Sequence, residues 1–125
     1  MHLSDELRAF LKGRLSSGDQ IEIVILLLGN PERAWTALEV AEALHMAPES
    51  TAMRLFLLAS SGLIVFEPAG VPRYRYVPAN PASDRLMHEL VEAYGQNRAE
   101  VLSAIGASVE SDPIRSFADA FKLKK

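Results

Sequence analysis

The sequence contains no cysteine, and this absence removes several kinds of chemistry. A chain without thiols cannot form disulfides, ligate zinc or an iron–sulfur cluster through sulfur, or use a cysteine nucleophile. Long apolar runs are also missing, since the longest, Ile23 to Leu28, is far shorter than the roughly 20 residues of a membrane span. The first residues are acidic where a secretory signal is basic. We therefore expect a cytoplasmic protein that does not associate with membranes.

The sequence also lacks an excess of positive charge. The 13 lysines and arginines are outnumbered by 16 aspartates and glutamates, so the formal net charge is −3. A strongly basic balance would have indicated nucleic-acid binding directly. The remaining composition, 49% hydrophobic and 23% charged over 125 residues, is that of one ordinary globular unit. The function therefore has to be inferred from how particular residues are arranged along the sequence.

Motifs that carry catalysis are missing as well. The sequence has no glycine loop that would cradle phosphates and no Gly-x-Ser-x-Gly elbow. Asp84, His88 and Glu92 share a helix face at spacings of four and could hold a metal, but a solvated acidic face is the more frequent meaning of such a pattern. We predict that the protein is not an enzyme and uses no metal or cofactor.

Apolar spacing and capping signals predict a mostly helical first half. An amphipathic helix is predicted over residues 3–14. Residues 19–29 are rich in β-branched side chains, which suits a buried strand, but flanking cap and stop residues favour a helix. Thr36 and Glu39 form a capping box that opens a short helix ending near His45.

The second half adds a hairpin between helices. Pro48 suits the first turn of a helix that ends at Gly62. Strands are predicted over 63–66 and 73–77, with a proline- and glycine-containing turn between them. A long helix is then expected over 82–104, and a final helix begins at Asp112 and Pro113.

This order of elements resembles the winged helix-turn-helix of the MarR, ArsR and PadR groups of bacterial transcriptional regulators. The most specific segments are 36–44, 50–55 and 61–64, the last reading Ser-Gly-Leu-Ile. The resemblance implies a mainly α fold with a small β-wing, flanked by N- and C-terminal helices, with 19–29 helical and residues 34–35 as a third strand. The expected division is an N-terminal helix over 1–18, the winged domain over 19–80, and C-terminal helices over 81–125 packed on the same domain.

The resemblance also implies a regulator that binds double-stranded DNA. In such a motif the second helix of the pair enters the major groove, and the wing contacts the backbone. Ser50, Thr51 and Arg54 are then the expected groove contacts. Arg73 and Arg75 are the expected wing contacts, since they alternate with tyrosines and so share one face of a strand.

The recognition helix departs from the pattern of these regulators. Its outward positions fall on Met53, Phe56 and Leu57, and apolar groups read nothing in the major groove beyond a thymine methyl. Residues 31–78 also contain one more glutamate than arginine. The apolar face is expected either to be buried against residues 3–14 or 113–121, or to bind a protein. The alternative function is therefore a winged-helix protein-interaction module that has lost direct base readout.

A second apolar pattern lies in the predicted helix over 82–104 and suits pairing with another copy. Its members recur at spacings of three and four: Met87, Leu90, Tyr94, Asn97, Val101 and Ala104. The alternative is that this helix packs on the core of its own chain. The resemblance favours a homodimer, with two recognition helices about 34 Å apart on the duplex.

Overall fold

The structure is a computed structural model that describes residues 3–68 and 70–106. Its elements are α1 Asp5–Leu11, α2 Gly18–Leu28, β1 Trp35–Thr36, α3 Ala37–Leu44, α4 Pro48–Ser60, β2 Val65–Glu67, β3 Arg73–Arg75, α5 Pro81–Gln96 and α6 Arg98–Ala104. The predicted fold class, mainly helical with a small sheet, is confirmed. The helix predicted to begin at Asp112 lies outside the described residues.

Capping side chains begin helices α2 and α3. The Thr36 hydroxyl accepts from the Glu39 backbone N–H at 3.1 Å, and the Glu39 carboxylate accepts from the Thr36 N–H at 2.9 Å, so the predicted capping box is confirmed. Residues 19–29 are helical rather than extended. Ser17 and Gln20 form a second capping box there, so α2 begins at Gly18.

A tight turn joins α3 to α4. His45 ends α3 with a positive φ of 56°, and Pro48 occupies the first turn of α4, where its missing N–H leaves no helical bond unmade. The end of α4 is followed by Gly62, which also adopts a positive φ of 82°. This left-handed residue redirects the chain into the wing.

The wing is a three-stranded antiparallel sheet in the order β1-β3-β2. Trp35 and Phe66 both pair with Tyr74, so these three side chains share one face. The predicted alternation is confirmed, because Tyr74 is buried while Arg73 and Arg75 lie half-buried on the opposite face. The paired strands are shorter than predicted, and the buried Leu63 and Ile64 lead into β2 rather than belonging to it.

The prediction of one helix over 82–104 is wrong. The backbone leaves helical geometry at Asn97, with φ −147° and ψ 82°, because the Asn97 side chain accepts from the Glu100 N–H and starts α6 as a separate helix. The apolar members of the proposed dimer seam pack into the chain's own core. Four of these residues are buried, namely Met87, Leu90, Tyr94 and Val101.

The core joins the flanking helices to the winged part. It includes Leu7 and Leu11 of α1, Ile21 of α2 and Leu55 of α4 together with Leu90 of α5. Within the described ranges, no helix has the length and apolarity needed to cross a bilayer.

Candidate functional site

Two of the three residues predicted to meet DNA from α4 lie on its inner side. Thr51 is fully buried, and its hydroxyl donates to the Ala47 carbonyl at 2.8 Å. Arg54 is 4% exposed, and its Nη2 lies 3.3 Å from Oδ2 of Asp19 at the start of α2. Both share the stripe of Leu55, which faces the core. This placement does not fit a contact with bases, so neither residue is retained as a DNA contact.

Ser50 lies nearer the surface, in the first turn of α4. Its side chain is half-buried, and its hydroxyl donates to the Ala47 carbonyl at 3.2 Å. The backbone N–H groups of a helix's first turn favour anions such as phosphate. Ser50 therefore keeps a position from which a backbone contact is geometrically reasonable.

The outer face of α4, formed by Met53, Phe56, Leu57 and Ser60, is open to solvent in the described chain. Met53 is 54% exposed, Phe56 63% and Leu57 42%. Residues 3–14 leave it open, because α1 packs against α5 and only the turn at Gly13 and Arg14 reaches its edge, beside Leu57 and Ser60. The other segment considered as a cover, 113–121, lies outside the described residues.

An apolar groove separates this outer face from the wing. It encloses about 250 Å³ and is lined by Phe56, Ala59, Ser60, Phe66 and Tyr74. The rings of Phe66 and Tyr74 are tilted at 55° with centroids 5.5 Å apart. No charged side chain lines the groove, so the groove suits an apolar or aromatic group far better than a phosphate.

A second hollow of about 380 Å³ flanks the other side of the same helix. Leu57, Ser60 and Ser61 line it from α4, and the α1–α2 turn lines it with residues that include Arg14. The Arg14 guanidinium lies 4.5 Å from the centre of the Phe10 ring. The turn therefore contacts the C-terminal end of α4, where the Ser61 hydroxyl donates to the Arg14 backbone carbonyl at 3.4 Å. The sequence analysis missed it, because a turn residue carries no periodicity that would relate it to a distant helix.

The wing arginines are surface residues that pair with carboxylates. Nη2 of Arg75 lies 3.1 Å from Oε2 of Glu67, and Nη1 of Arg73 lies 3.7 Å from Oε1 of Glu39. Exposed pairs of this kind contribute little to stability and exchange partners readily. Arg73 and Arg75 therefore remain able to meet a polyanion.

Glu39 links the recognition motif to the wing. Its pKa is lowered mainly because its carboxylate accepts the Thr36 backbone N–H, and the neighbouring charges of Arg33 and Arg73 lower it further. The Nη2 of Arg33 is also 3.7 Å from Oε1 of Glu39. One carboxylate thus serves as a helix cap and as the partner of two cations.

The acidic face considered as a metal site is used in packing. The Tyr76 hydroxyl donates to Asp84 Oδ1 at 2.8 Å. Burial and then this carboxylate raise the pKa of Tyr76. Nε2 of His88 lies 3.4 Å from the same oxygen. Within 3–68 and 70–106, no three His, Asp or Glu side chains are grouped so that they could hold a metal.

The fold has counterparts among solved structures, although no protein-family model and no curated protein matches the sequence. A MarR-family protein from Bacillus stearothermophilus superposes with a TM-score of 0.53 at 19% identity, covering 94% of this chain and 78% of that one. Lactococcus lactis ZitR, solved as a mutant, gives 0.52 at 19%, covering 99% and 80%.

A third counterpart is the homodimeric winged helix-turn-helix DNA-binding domain of Mb0332 from Mycobacterium bovis, described as a possible ArsR-family transcriptional regulator. It gives a TM-score of 0.53 at 24% identity, covering 80% of this chain and 94% of that one. At such identities the likeness concerns the fold. The chain is a winged-helix protein, with α3 and α4 as the helix pair and β1–β3 as the wing sheet.

Proposed function

We propose that this chain is a transcriptional regulator that contacts double-stranded DNA. The observation that carries the proposal is the uncovered outer face of α4 beside the wing, which is the arrangement that places a helix in the major groove. The fold is shared with a protein described as a MarR family protein and with a DNA-binding domain described as that of a possible ArsR-family transcriptional regulator. Such a protein would act in the bacterial cytoplasm.

The chemistry of the site favours backbone contacts over base readout. Arg73 and Arg75 on the wing and Ser50 at the start of α4 suit phosphate oxygens. Met53 and Phe56 can contact a thymine methyl but offer no donor or acceptor to base edges. We therefore expect weak sequence discrimination and a strong dependence of affinity on salt.

The test is the double variant Arg73→Ala/Arg75→Ala, measured by fluorescence anisotropy with a labelled duplex at low salt. Each lost phosphate contact lowers the salt slope by about one, so the double variant should lower it by about two. The matched control is Arg85→Ala/Arg98→Ala, which removes two exposed arginines paired with Glu6 and Glu22 on α1 and α2. No duplex binding by the parent, or an equal loss in the control, would contradict the proposal.

A second candidate function is protein recognition through Met53, Phe56 and Leu57. The observation that favours it is their joint exposure beside an uncharged groove, since large apolar patches seldom stay uncovered without a partner. Phe56→Asp should then abolish partner binding and leave the fold unchanged. Arg73→Ala/Arg75→Ala should leave that binding intact, which separates the two functions.

Assembly as a homodimer is also part of the proposal, as the Mb0332 domain is described as homodimeric. The interface expected over 82–104 is unsuitable, because its apolar side chains are buried within the chain. A homodimer of this chain would have to use another surface.

A further inference from the structure

We propose that Arg33 and Arg73 together bind one phosphate of the duplex backbone, and that the Glu39 carboxylate competes with that phosphate. The inference rests on the proposed function and deepens it. It adds Arg33, which precedes β1, to the residues that contact DNA. It also assigns to Glu39 a control of DNA affinity that helix capping alone does not imply.

The two arginines converge on a single atom. Nη2 of Arg33 and Nη1 of Arg73 each lie 3.7 Å from Oε1 of Glu39. These two nitrogens are therefore no further apart than twice that distance. Two oxygens of one phosphate, each accepting a charge-assisted hydrogen bond of about 2.8 Å, can span such a gap. The arginine pair thus suits one phosphate held from both sides.

Both guanidinium groups are held in place by contacts that leave most of their N–H groups available. The Arg33 guanidinium lies over the Trp35 ring, 3.6 Å from its centre, and this cation–π contact requires none of its N–H groups. Nη1 of Arg73 donates to the Ala34 carbonyl at 3.4 Å. Donors that are already positioned lose less conformational freedom when a ligand binds.

Glu39 is a loose partner for both arginines. The separations of 3.7 Å exceed hydrogen-bonding distance, so the carboxylate attracts the two guanidinium groups without accepting their N–H groups. The same oxygen accepts from the Thr36 N–H at 2.9 Å, which holds the carboxylate at the start of α3. Two cations beside one carboxylate keep an excess of positive charge. The arginine pair can therefore attract a further anion.

The location of the arginine pair suits the flank of a duplex that contacts the wing. Arg73 lies on the face of β3 opposite Tyr74, and Tyr74 lines the groove beside α4. The arginine face is therefore directed away from that groove. A phosphate bound there belongs to the backbone beside the wing, not to the major groove that α4 would enter.

Competition by Glu39 has a consequence of unusual sign. A carboxylate beside a bound phosphate lowers affinity, because the two like charges repel. A neutral amide at position 39 should therefore strengthen duplex binding, although it removes the charge partner of Arg33 and Arg73 within the folded chain. A purely structural role of Glu39 predicts no such gain.

The first test is the affinity of the full chain for a labelled duplex, measured by fluorescence anisotropy. Glu39→Gln should bind about threefold more tightly than the parent, as expected for the loss of an exposed competing charge. Its side chain keeps an acceptor for the Thr36 N–H, so the cap is preserved. The matched control is Glu6→Gln, which makes the same change of charge beside Arg85 and should have a much smaller effect.

A double-mutant cycle tests whether the two arginines share one phosphate. Arg33→Ala and Arg73→Ala should each weaken duplex binding about tenfold, and the double variant should lose far less than the product of the two losses. Arg33→Ala/Arg75→Ala is the control, because Arg75 pairs with Glu67 and its loss should multiply with that of Arg33. The coupling should persist in the Glu39→Gln background, since it arises at the phosphate.

Trp35 provides a local measurement, because it is the only tryptophan in the chain. Its emission should change when the duplex draws Arg33 from the ring, and the change should be much smaller in Arg33→Ala. The inference is overturned if Glu39→Gln fails to strengthen binding more than Glu6→Gln does, if the losses at 33 and 73 multiply, or if the emission change is equal in Arg33→Ala. Each of these results leaves the proposed function standing, whereas a parent that binds no duplex removes both.

Discussion

Helices α4 and α5 both carry apolar residues at spacings of three and four, and the structure uses them differently. On α5 the apolar residues form one stripe, which includes Met87 and Leu90 and is buried in the chain. On α4 there are two stripes. The inner one is buried, while Met53 and Phe56 on the outer one are more than half exposed. A periodic apolar pattern therefore shows that a helix has a face to cover, but not what covers it.

The charged residues explain the difference. The exposed side of α5 carries Arg85, His88 and Glu92, so only one face of that helix is apolar. The single arginine of α4, Arg54, turns inward to Asp19 and leaves Glu49 as the one charged side chain on its exposed surface. An apolar stripe beyond what the core requires indicates a binding surface.

Removal of the Asp19 carboxylate should have the largest effect on stability. Asp19→Ala takes a partner from a guanidinium that is 4% exposed, and breaking a buried pair costs about 3 kcal/mol. Glu22→Ala is the control on the same helix, since its pair with the exposed Arg98 should contribute less than about 1 kcal/mol. Urea denaturation measures both. Equal effects would mean that Arg54 does not anchor the inner side of α4.

The next difference is expected between the buried apolar stripe of α5 and the outer apolar stripe of α4, in how much each contributes to the free energy of unfolding. Leu90→Ala on α5 removes a fully buried side chain and should cost about 3 kcal/mol. Phe56→Ala on the outer face of α4 should change the free energy of unfolding by less than about 0.5 kcal/mol. Both are measured at protein concentrations low enough to keep the chain monomeric. A large loss from Phe56→Ala would show that this face is covered within the chain.

The break between α5 and α6 allows a smaller test. Asn97→Ala removes the side chain that caps α6, and such losses cost about 1 kcal/mol. Ser103→Ala, at an exposed position of α6, should have almost no effect. Thermal unfolding compares the two variants. If Asn97→Ala is stabilising, a continuous helix is the preferred state, and the break has a cause other than this cap.

The smallest effect concerns Glu39 beside the wing. Its pKa is lowered in the folded state, so its charge stabilises the fold above the unfolded pKa, and this contribution is lost as the pH falls through the folded pKa. Glu39→Gln keeps a capping acceptor but loses the charge beside Arg33 and Arg73. Its melting temperature should lie slightly below the parent's at about pH 7, and the gap should close as the pH is lowered until Glu39 is protonated in the folded parent as well. A constant gap would exclude a charge effect.

Much of the fold could be predicted, because local signals fix where helices begin. Thr36 and Glu39 cap α3, and Pro48 opens α4, through contacts within one turn of the chain. The break at Asn97 was not predicted, since an asparagine at a seam position also suits a register point between two helices. In the structure the Asn97 side chain accepts from the Glu100 N–H and caps α6 instead.

The candidate site was predictable only in part. The outward position of Met53, Phe56 and Leu57 on α4 follows from helical spacing, but whether that face stays open does not. The direction of Arg54 does not follow from spacing either. A long cationic side chain can lie on either side of a helix. Here the position of Asp19 on α2 decides that Arg54 lies on the inner side of α4. Arg14 likewise reaches the end of α4 only through the packing of the α1–α2 turn.

By itself the sequence determined the order of helices and strands up to the break at Asn97, the capping box of Thr36 and Glu39, and the alternation of arginine with tyrosine on the wing, because each depends on residues close together in the chain. Only the tertiary structure decided which stripes are buried, where Arg54 finds its partner and which apolar face stays open. Burial depends on what packs against a surface, and those neighbours come from distant parts of the chain.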